Sequence, residues 1–337
     1  MASGKHRELV AGIDVSAKTL QVALRSLTGE IRDLEFTNDA AGHRKLVGLL
    51  TKSGHAARVC LEATSLYGLD AAIALSQAKV AVMIVNPKAA RRFAEAMMRR
   101  AKTDRVDARA LLEFVLRMEF VAWSPPSEDR LSLRMYSRRI ADLVVTRTAE
   151  KNRLHALGAT QTTPQAILDD VTASISAIEV RIDALVTAAH GIIRADPDLA
   201  AECDAVMSVP GVAERSAVAL LGELALLPAD MTAREVVAHA GLDPRPKESG
   251  SSVHGKRVIS KVGSASLRGA LHMPTLVAIR FAPVVRRIYE AMLEAGKPKM
   301  VAIVALSRRL LHAIWHLLRT RGTFDPARFS PRFAAGA

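Results

Sequence analysis

Short, largely apolar runs of strand length, interleaved with stretches of helical spacing, dominate the first third of the chain. Leu9–Ser16, Leu20–Arg25 and Asp33–Phe36 each read as a strand, with a turn at Gly29 that makes the second and third antiparallel. The pattern then changes: Ala41–Leu50 has helical spacing, Arg58–Ala63 reads as a strand, Leu66–Gln77 as a helix and Val80–Val85 as a strand. Three consecutive strands followed by alternating helices and strands predict a mixed sheet with helices on its faces. Asn86-Pro87 opens a further helix, rich in Ala, Met and Arg, that runs toward residue 104.

The run Trp123-Ser124-Pro125-Pro126-Ser127 cannot continue a helix and marks a linker. Beyond it, Leu133, Tyr136, Ile140, Leu143, Arg147, Glu150, Leu154 and Leu157 are spaced alternately by three and four. The same spacing returns after Gly158–Pro164 in Leu168, Val171, Ile175, Ile178, Ile182, Leu185, Ala189 and Ile192. Two heptad helices joined by a short loop predict an antiparallel hairpin or coiled coil, with Arg147 and Glu150 interrupting its first seam. After Pro197 the pattern is mostly helical and ends in a basic amphipathic helix, Lys299–Arg319. The expected class is therefore α/β plus all-α. Residues 1–123 form a sheet domain, 124–197 a linker and coiled-coil hairpin, and 198–337 a helical domain. In that last part Ser208-Val209-Pro210-Gly211-Val212-Ala213 has the look of a helix-hairpin-helix turn, with Ala213 where a second glycine is usual.

A length of 337 residues, half of them hydrophobic, suits about two packed domains. Lys and Arg outnumber Asp and Glu by 47 to 34, a net charge of +13 that points to a polyanion such as nucleic acid as partner. Cys60 and Cys203 are too few for a disulfide framework and lack metal-ligand spacing; both suit buried positions in a reducing cytoplasm. The first residues have no apolar signal core. No stretch is expected to supply the roughly 18 apolar residues that span a bilayer, so no membrane partner is expected.

Asp104 and Asp107 stand three apart in Lys102-Thr103-Asp104-Arg105-Val106-Asp107-Ala108, so on a helix they share a face. Asp14 lies in a strand where Ile13 and Val15 face a core and Asp14 faces the other way. Glu62 takes a similar place in Arg58-Val59-Cys60-Leu61-Glu62-Ala63. Each carboxylate alone would ordinarily be solvated. The ordered set of four is what a two-ion centre for displacement at phosphorus needs, with metals about 3.5 to 4 Å apart. Arg91, Arg92, Arg99, Arg100, Lys102, Arg105 and Arg109 flank the aspartates, as expected where phosphate must also be drawn in.

A glycine- and serine-rich basic loop, from Gly241 to Arg257, lies between the later helices. A serine there becomes a nucleophile only if it is activated or its target phosphate is polarised. Ser249, Ser251 and Ser252 compete for that role, and turn formation is the ordinary use of such serines. Lys247, Lys256, Arg257, Lys261 and Arg268 are candidate phosphate contacts. His254 is a candidate base or a solvated loop residue. His312 and His316, one turn apart, have no third ligand nearby and read as surface or packing residues.

Gly12-Ile13-Asp14-Val15-Ser16, Leu61-Glu62-Ala63-Thr64, Lys102–Ala108, Val209-Pro210-Gly211-Val212, and Ala240-Gly241-Leu242-Asp243-Pro244 leading to Glu248-Ser249-Gly250 resemble, in order, the DEDD transposases of the insertion-sequence one-ten family. The resemblance implies a RuvC-like domain of the ribonuclease H fold joined through a coiled coil to a transposase domain. It implies that Asp14, Glu62, Asp104 and Asp107 bind Mg2+ and that Ser249 attacks DNA to form a phosphoserine link. It further implies a dimer or tetramer in which the serine of one subunit works beside the carboxylates of another. A structured bridge RNA would pair with donor and target DNA, in the bacterial cytoplasm and on the nucleoid. Two other readings share these residues: a RuvC-type junction endonuclease with no covalent step, and a nucleic-acid-binding scaffold without catalysis.

Overall fold

The computed structural model describes residues 8–52, 54–62, 66–97, 104–245, 248–249, 253–254 and 258–334. The chain divides into two compact units, Met1–Pro125 and Pro126–Ala337.

In the first unit β1 (Glu8–Val15), β2 (Thr19–Arg25) and β3 (Ile31–Thr37) are followed by α1 (Ala40–Thr51), β4 (Ala56–Glu62), α2 (Leu69–Gln77), β5 (Ala81–Val85), α3 (Pro87–Ala96) and α4 (Asp104–Arg117). A single 3-10 turn, Leu66–Gly68, precedes α2, so the helix starts later than its apolar pattern suggests. The sheet order is β3-β2-β1-β4-β5. β1, β2 and β3 are antiparallel neighbours, whereas β4 and β5 run parallel to β1. This is the mixed sheet expected from the sequence, with the strand order and directions of the ribonuclease H fold. Local chemistry sets the helix starts. The Asp39 side chain accepts from Gly42 N at 2.8 Å to cap α1, and Asn86 caps α3 with Pro87 in its first turn.

Alternation along the strands sorts the sheet's two faces. Leu9, Ala11 and Ile13 of β1, with Val22, Val59 and Leu61, pack against Leu46 and Leu50 of α1 and Leu75 of α2. Val10, Ala23, Cys60 and Met83 face the other way and pack against Ala108, Leu111, Leu112 and Val115 of α4. Gly12 lies on this second face, where α4 crosses so closely that a Cβ would sit 2.2 Å from the Ala108 carbonyl oxygen and 2.1 Å from Leu112 N.

The second unit begins with two 31-residue helices, α5 (Glu128–Gly158) and α6 (Gln165–Ala195), which pack as an antiparallel hairpin. It continues through α7 (Pro197–Met207), α8 (Glu214–Leu224) and α9 (Ala233–His239) to four two-residue strands. These are β6 (Pro244–Arg245), β7 (Glu248–Ser249), β8 (Val253–His254) and β9 (Val258–Ile259). The rest is helical: α10 (Ala265–Phe281), α11 (Pro283–Glu294), α12 (Lys299–Thr320), α13 (Pro326–Phe329) and α14 (Pro331–Ala334).

The hairpin seam is buried at Leu133, Ile140, Leu143, Val171, Ile175, Ile178, Ile182 and Ala189, as the spacing predicts, but then at Ile193 in place of Ile192. A straight helix drifts against a seven-residue repeat, which accounts for the one-residue slip at the far end. Where Arg147 interrupts the seam, Glu179 from α6 sits 3.8 Å from Arg147 and 2.9 Å from Lys151. At the turn between α7 and α8, Gly211 has φ +89°, and a Cβ would lie 2.3 Å from the Pro274 carbonyl oxygen of α10. That glycine serves a close backbone crossing inside the protein.

One sequence expectation needs correction. Helix α12 is long and apolar enough, by length and composition, to cross a membrane. Its apolar face, including Ala302, Leu306, Leu310, Leu311, Ile314 and Trp315, is buried in the core of the second unit. Trp315 Nε1 donates to Met231 O at 2.9 Å, so even the indole nitrogen is satisfied within the protein.

The crossing at Gly12 makes a direct test. Gly12→Ala should lower unfolding stability by about 1–3 kcal/mol or more through overpacking. Gly48→Ala in α1, where an added Cβ meets nothing within 4 Å, should leave stability unchanged or raise it by about 0.5–1 kcal/mol. Urea unfolding of the two variants measures the difference.

Candidate functional site

The carboxylates are best located from strand register. β1 and β4 pair in parallel with Gly12 opposite Cys60 and Ile13 opposite Leu61, so the next step along both strands sets Asp14 beside Glu62. Both lie on the α4 face, because each is two residues beyond a residue packed there. Continuing across the sheet, Gln21 pairs with Asp14, Glu35 with Gln21, and Val85 with Glu62. A row that is polar from β3 to β4 (Glu35, Gln21, Asp14, Glu62) and closed by Val85 on β5 thus crosses the sheet at the end of β1, next to a largely apolar layer. Asp14 and Glu62 are half-buried. The layer beneath is dry enough that burial, helped by the neighbouring Glu62 carboxylate, pushes the Cys60 thiol up to about 12. Cys60 is accordingly an inert core residue.

Helix α4 begins at Asp104, and its first turn carries Asp107. Asp107 directly precedes Ala108, the residue whose carbonyl abuts Gly12 two positions before Asp14. The helix bearing the aspartate pair therefore crosses the strand bearing Asp14. The Asp104 and Arg105 side chains, and Lys102 entirely, lie outside the described residues. Among the described residues no three Asp, Glu, His or Cys side chains form a ready-made cluster. Oxygen-only donors at this place suit a hard divalent cation such as Mg2+ or Mn2+, which commonly keeps several waters and takes only one or two carboxylates.

Arg109 has a different place from the one its sequence neighbourhood suggests. Its Nε and Nη2 donate to Asp33 Oδ1 at 2.9 Å and Oδ2 at 2.7 Å, a two-pronged pair between α4 and β3. The Asp33 carboxylate, by hydrogen bond and by charge, raises the Arg109 pKa. Asp33 pairs with Ala23, and Ala23 with Gly12. The clamp and the glycine crossing therefore fall in one row of the sheet, and together they hold α4 against both position and rotation. The sequence reading missed this role because Asp33 and Arg109 are 76 residues apart and no local pattern links them.

In the second unit the strands pair as two short ribbons, Pro244 with Ile259 and Arg245 with Val258, then Glu248 with His254 and Ser249 with Val253. His254 is thus the cross-strand partner of Glu248 rather than of Ser249. The Ser249 side chain, and Lys247, Lys256 and Arg257 entirely, lie outside the described residues. At the ribbon's root, Ser260 Oγ donates to Asp243 Oδ1, and Ser260 N to Asp243 O at 2.9 Å. Lys261 has φ +50° and is exposed, whereas Arg268 Nη1 donates to the carbonyls of Ala240 at 2.8 Å and Ser264 at 3.3 Å. Arg268 thereby ties α10 to the end of α9.

Residues 11–159 match a family model of DEDD transposases of insertion sequence IS110, and residues 203–290 match that of the Transposase IS116/IS110/IS902 family. The chain belongs to the IS110 family of transposases. Among curated relatives, the pilin gene-inverting proteins of Moraxella bovis and Moraxella lacunata are each 26% identical over 324 residues, covering 93% of this chain and 97% of theirs. The insertion element IS110 43.6 kDa protein of Streptomyces coelicolor is 26% identical across 48% of this chain and 38% of its own length. A solved structure of Thermus thermophilus RuvC with a Holliday junction substrate is 16% identical, covering 33% of this chain and 96% of that one at a TM-score of 0.25. The fold assignment rests on strand order and direction, independently of that superposition. Membership of the family carries with it DNA cleavage and rejoining.

The clamp yields a second test on this transposase. Arg109→Gln or Asp33→Asn should reduce DNA cleavage several-fold while costing no more than about 1 kcal/mol of stability, as for a half-exposed pair. The charge-swapped double variant Asp33→Arg/Arg109→Asp should recover part of the loss. Cleavage assays and urea unfolding on the same preparations separate the two effects, and unaltered cleavage in both single variants would remove the clamp from the site.

Proposed function

We propose that this transposase cuts and rejoins DNA by a metal-assisted phosphoserine route, with Asp14, Glu62, Asp104 and Asp107 holding Mg2+ and Ser249 as nucleophile. The observation that supports it most is the register that sets Asp14 beside Glu62 on the face crossed by α4. Bound divalent metal supplies charge neutralisation at the phosphodiester. The carboxylates' part is to fix the scissile phosphate through the metal, from half-buried positions at the ends of β1 and β4.

In the proposed reaction the Ser249 hydroxyl attacks phosphorus. One P–O bond forms to serine as one P–O bond to the sugar breaks, and the sugar oxygen leaves as a hydroxyl carrying the proton given up by serine. Attack by a second strand's hydroxyl reverses the bookkeeping, so no external energy source enters. Relatives named for inverting a pilin gene favour such a conserved exchange over hydrolytic breaks. The family resemblance adds a homotetramer with serine and carboxylates from different subunits, and guidance by a structured RNA encoded beside the gene. The net charge of +13 is in keeping with both nucleic acids as partners.

The test is to incubate the full-length transposase, purified with its bound RNA, with DNA carrying its own element ends, then denature it and look for a covalent protein–DNA adduct. Wild type should give an adduct mapped to Ser249 by mass spectrometry. Ser249→Ala should give none, while Ser252→Ala keeps it. Prior ribonuclease treatment should abolish the adduct, and an undiminished adduct would remove the RNA from the scheme. Efficient cleavage with no adduct would replace the serine route by hydrolysis of the junction-endonuclease kind.

A further inference from the structure

Helix α12 carries Arg308, His312 and His316 at intervals of four, which places them in one line along the helix about 6 Å apart. All three line a cavity of about 1040 Å³ whose facing wall includes Leu242, Ile259 and Phe324. Among the described residues none of these three side chains has a hydrogen-bond or ion-pair partner. Their neighbour Arg309 is used differently: its Nε donates to Phe329 O at 3.1 Å, and its guanidinium lies 5.0 Å from the Phe329 ring centroid. Phe329 in turn packs on Phe324 at 5.2 Å, and Phe324 N donates to Ser208 Oγ at 2.8 Å. The wall opposite the polar line is therefore held in place before anything binds.

The groove's chemistry is two-sided. One side offers a line of cationic and hydrogen-bonding groups, and the single acidic lining residue, Asp325, lies 3.7 Å from Arg328. The rest of the lining outside α12 is mostly apolar, with Leu242, Pro244, Ile259, Phe324 and Phe329 joined by Thr323 and Arg328. An apolar helix would bury the polar line without partners, and an acidic peptide would leave the apolar wall without flat groups to cover it. A single nucleic-acid strand has both features, phosphates at regular intervals on one edge and base faces on the other. A duplex keeps its bases stacked inside and offers only the phosphates. Pro244 and Ile259, which pair at the root of the segment that carries Ser249 in sequence, also line the groove, which favours the DNA strand being processed as the occupant.

We infer that the α12 groove is a binding site for single-stranded DNA, with Arg308, His312 and His316 on its phosphates and Leu242, Ile259 and Phe324 against its bases. The inference takes from the proposed function only that DNA is the substrate. Binding here requires neither metal nor serine chemistry.

The experiment is fluorescence anisotropy of the full-length protein with a short labelled single-stranded DNA in EDTA, as a function of salt, with a duplex of the same sequence as comparison. Arg308→Gln/His316→Gln changes two residues outside the core, and should weaken single-strand binding by about tenfold. It should also reduce the slope of log affinity against log salt by about 0.7, the value of one phosphate contact on a single strand. Duplex binding should be nearly unchanged. Equal single-strand affinity in variant and wild type, or equal losses on both DNAs, would overturn the site. A wild-type preference for RNA of the same sequence, lost in the variant, would overturn DNA as its occupant. Photocrosslinking with halogenated single-stranded DNA gives an independent readout on wild type alone: crosslinks on α12 or Phe324 support the site, and crosslinks confined to other segments overturn it.

Discussion

The first unit depends on the close crossing of α4 over β1 at Gly12. Only a residue without a side chain lets the backbone of Ala108–Leu112 come down on the strand, and that approach settles where everything else on the face goes. The apolar layer of Val10, Ala23, Cys60, Leu111 and Leu112 closes beneath it. The first turn of α4, with Asp107, is carried to the end of β1 where Asp14 stands beside Glu62. A bulkier residue at Gly12 would lift the first turn of α4, and Asp107 with it, away from the end of β1. The Arg109–Asp33 pair completes the arrangement from the side, since a single crossing point leaves a helix free to swivel.

The second unit relies on the same physical device with a different outcome. Gly211 allows the α7–α8 turn to meet the backbone of α10 at Pro274, and helical layers then close over it. Long apolar faces on α6, α10 and α12 feed one core, to which the inner half of the α5–α6 hairpin also contributes. That shared core explains why α12, which by composition alone resembles a membrane span, has its apolar face covered by protein.

Much of this was legible in the chain. Strands β1, β4 and β5 announce themselves as short apolar runs because the sheet is packed on both faces, and the hairpin by its three-four spacing because one face of each helix is buried. Asp14 and Glu62 were legible as a pair because each interrupts an apolar strand on the face opposite its neighbours. What was hidden depends on contacts between distant residues. Nothing near Asp33 signals Arg109, and strands of two residues, such as those around Ser249, are too short to carry a period. His312 and His316 read as surface or packing because one helical turn is the commonest spacing there is; only the wall across from them shows that they line a groove.

The central claim is that the Asp14–Glu62 row beneath α4 is a divalent-metal centre. It is tested most directly by crystals of the transposase grown with Mn2+ and measured for anomalous scattering. The account predicts a peak within about 2.0–2.6 Å of carboxylate oxygens of Asp14 and Glu62, with at least one aspartate of α4 completing the shell. A Mn2+ peak held by other residues, with Asp14 and Glu62 left without metal at saturating concentration, would contradict it.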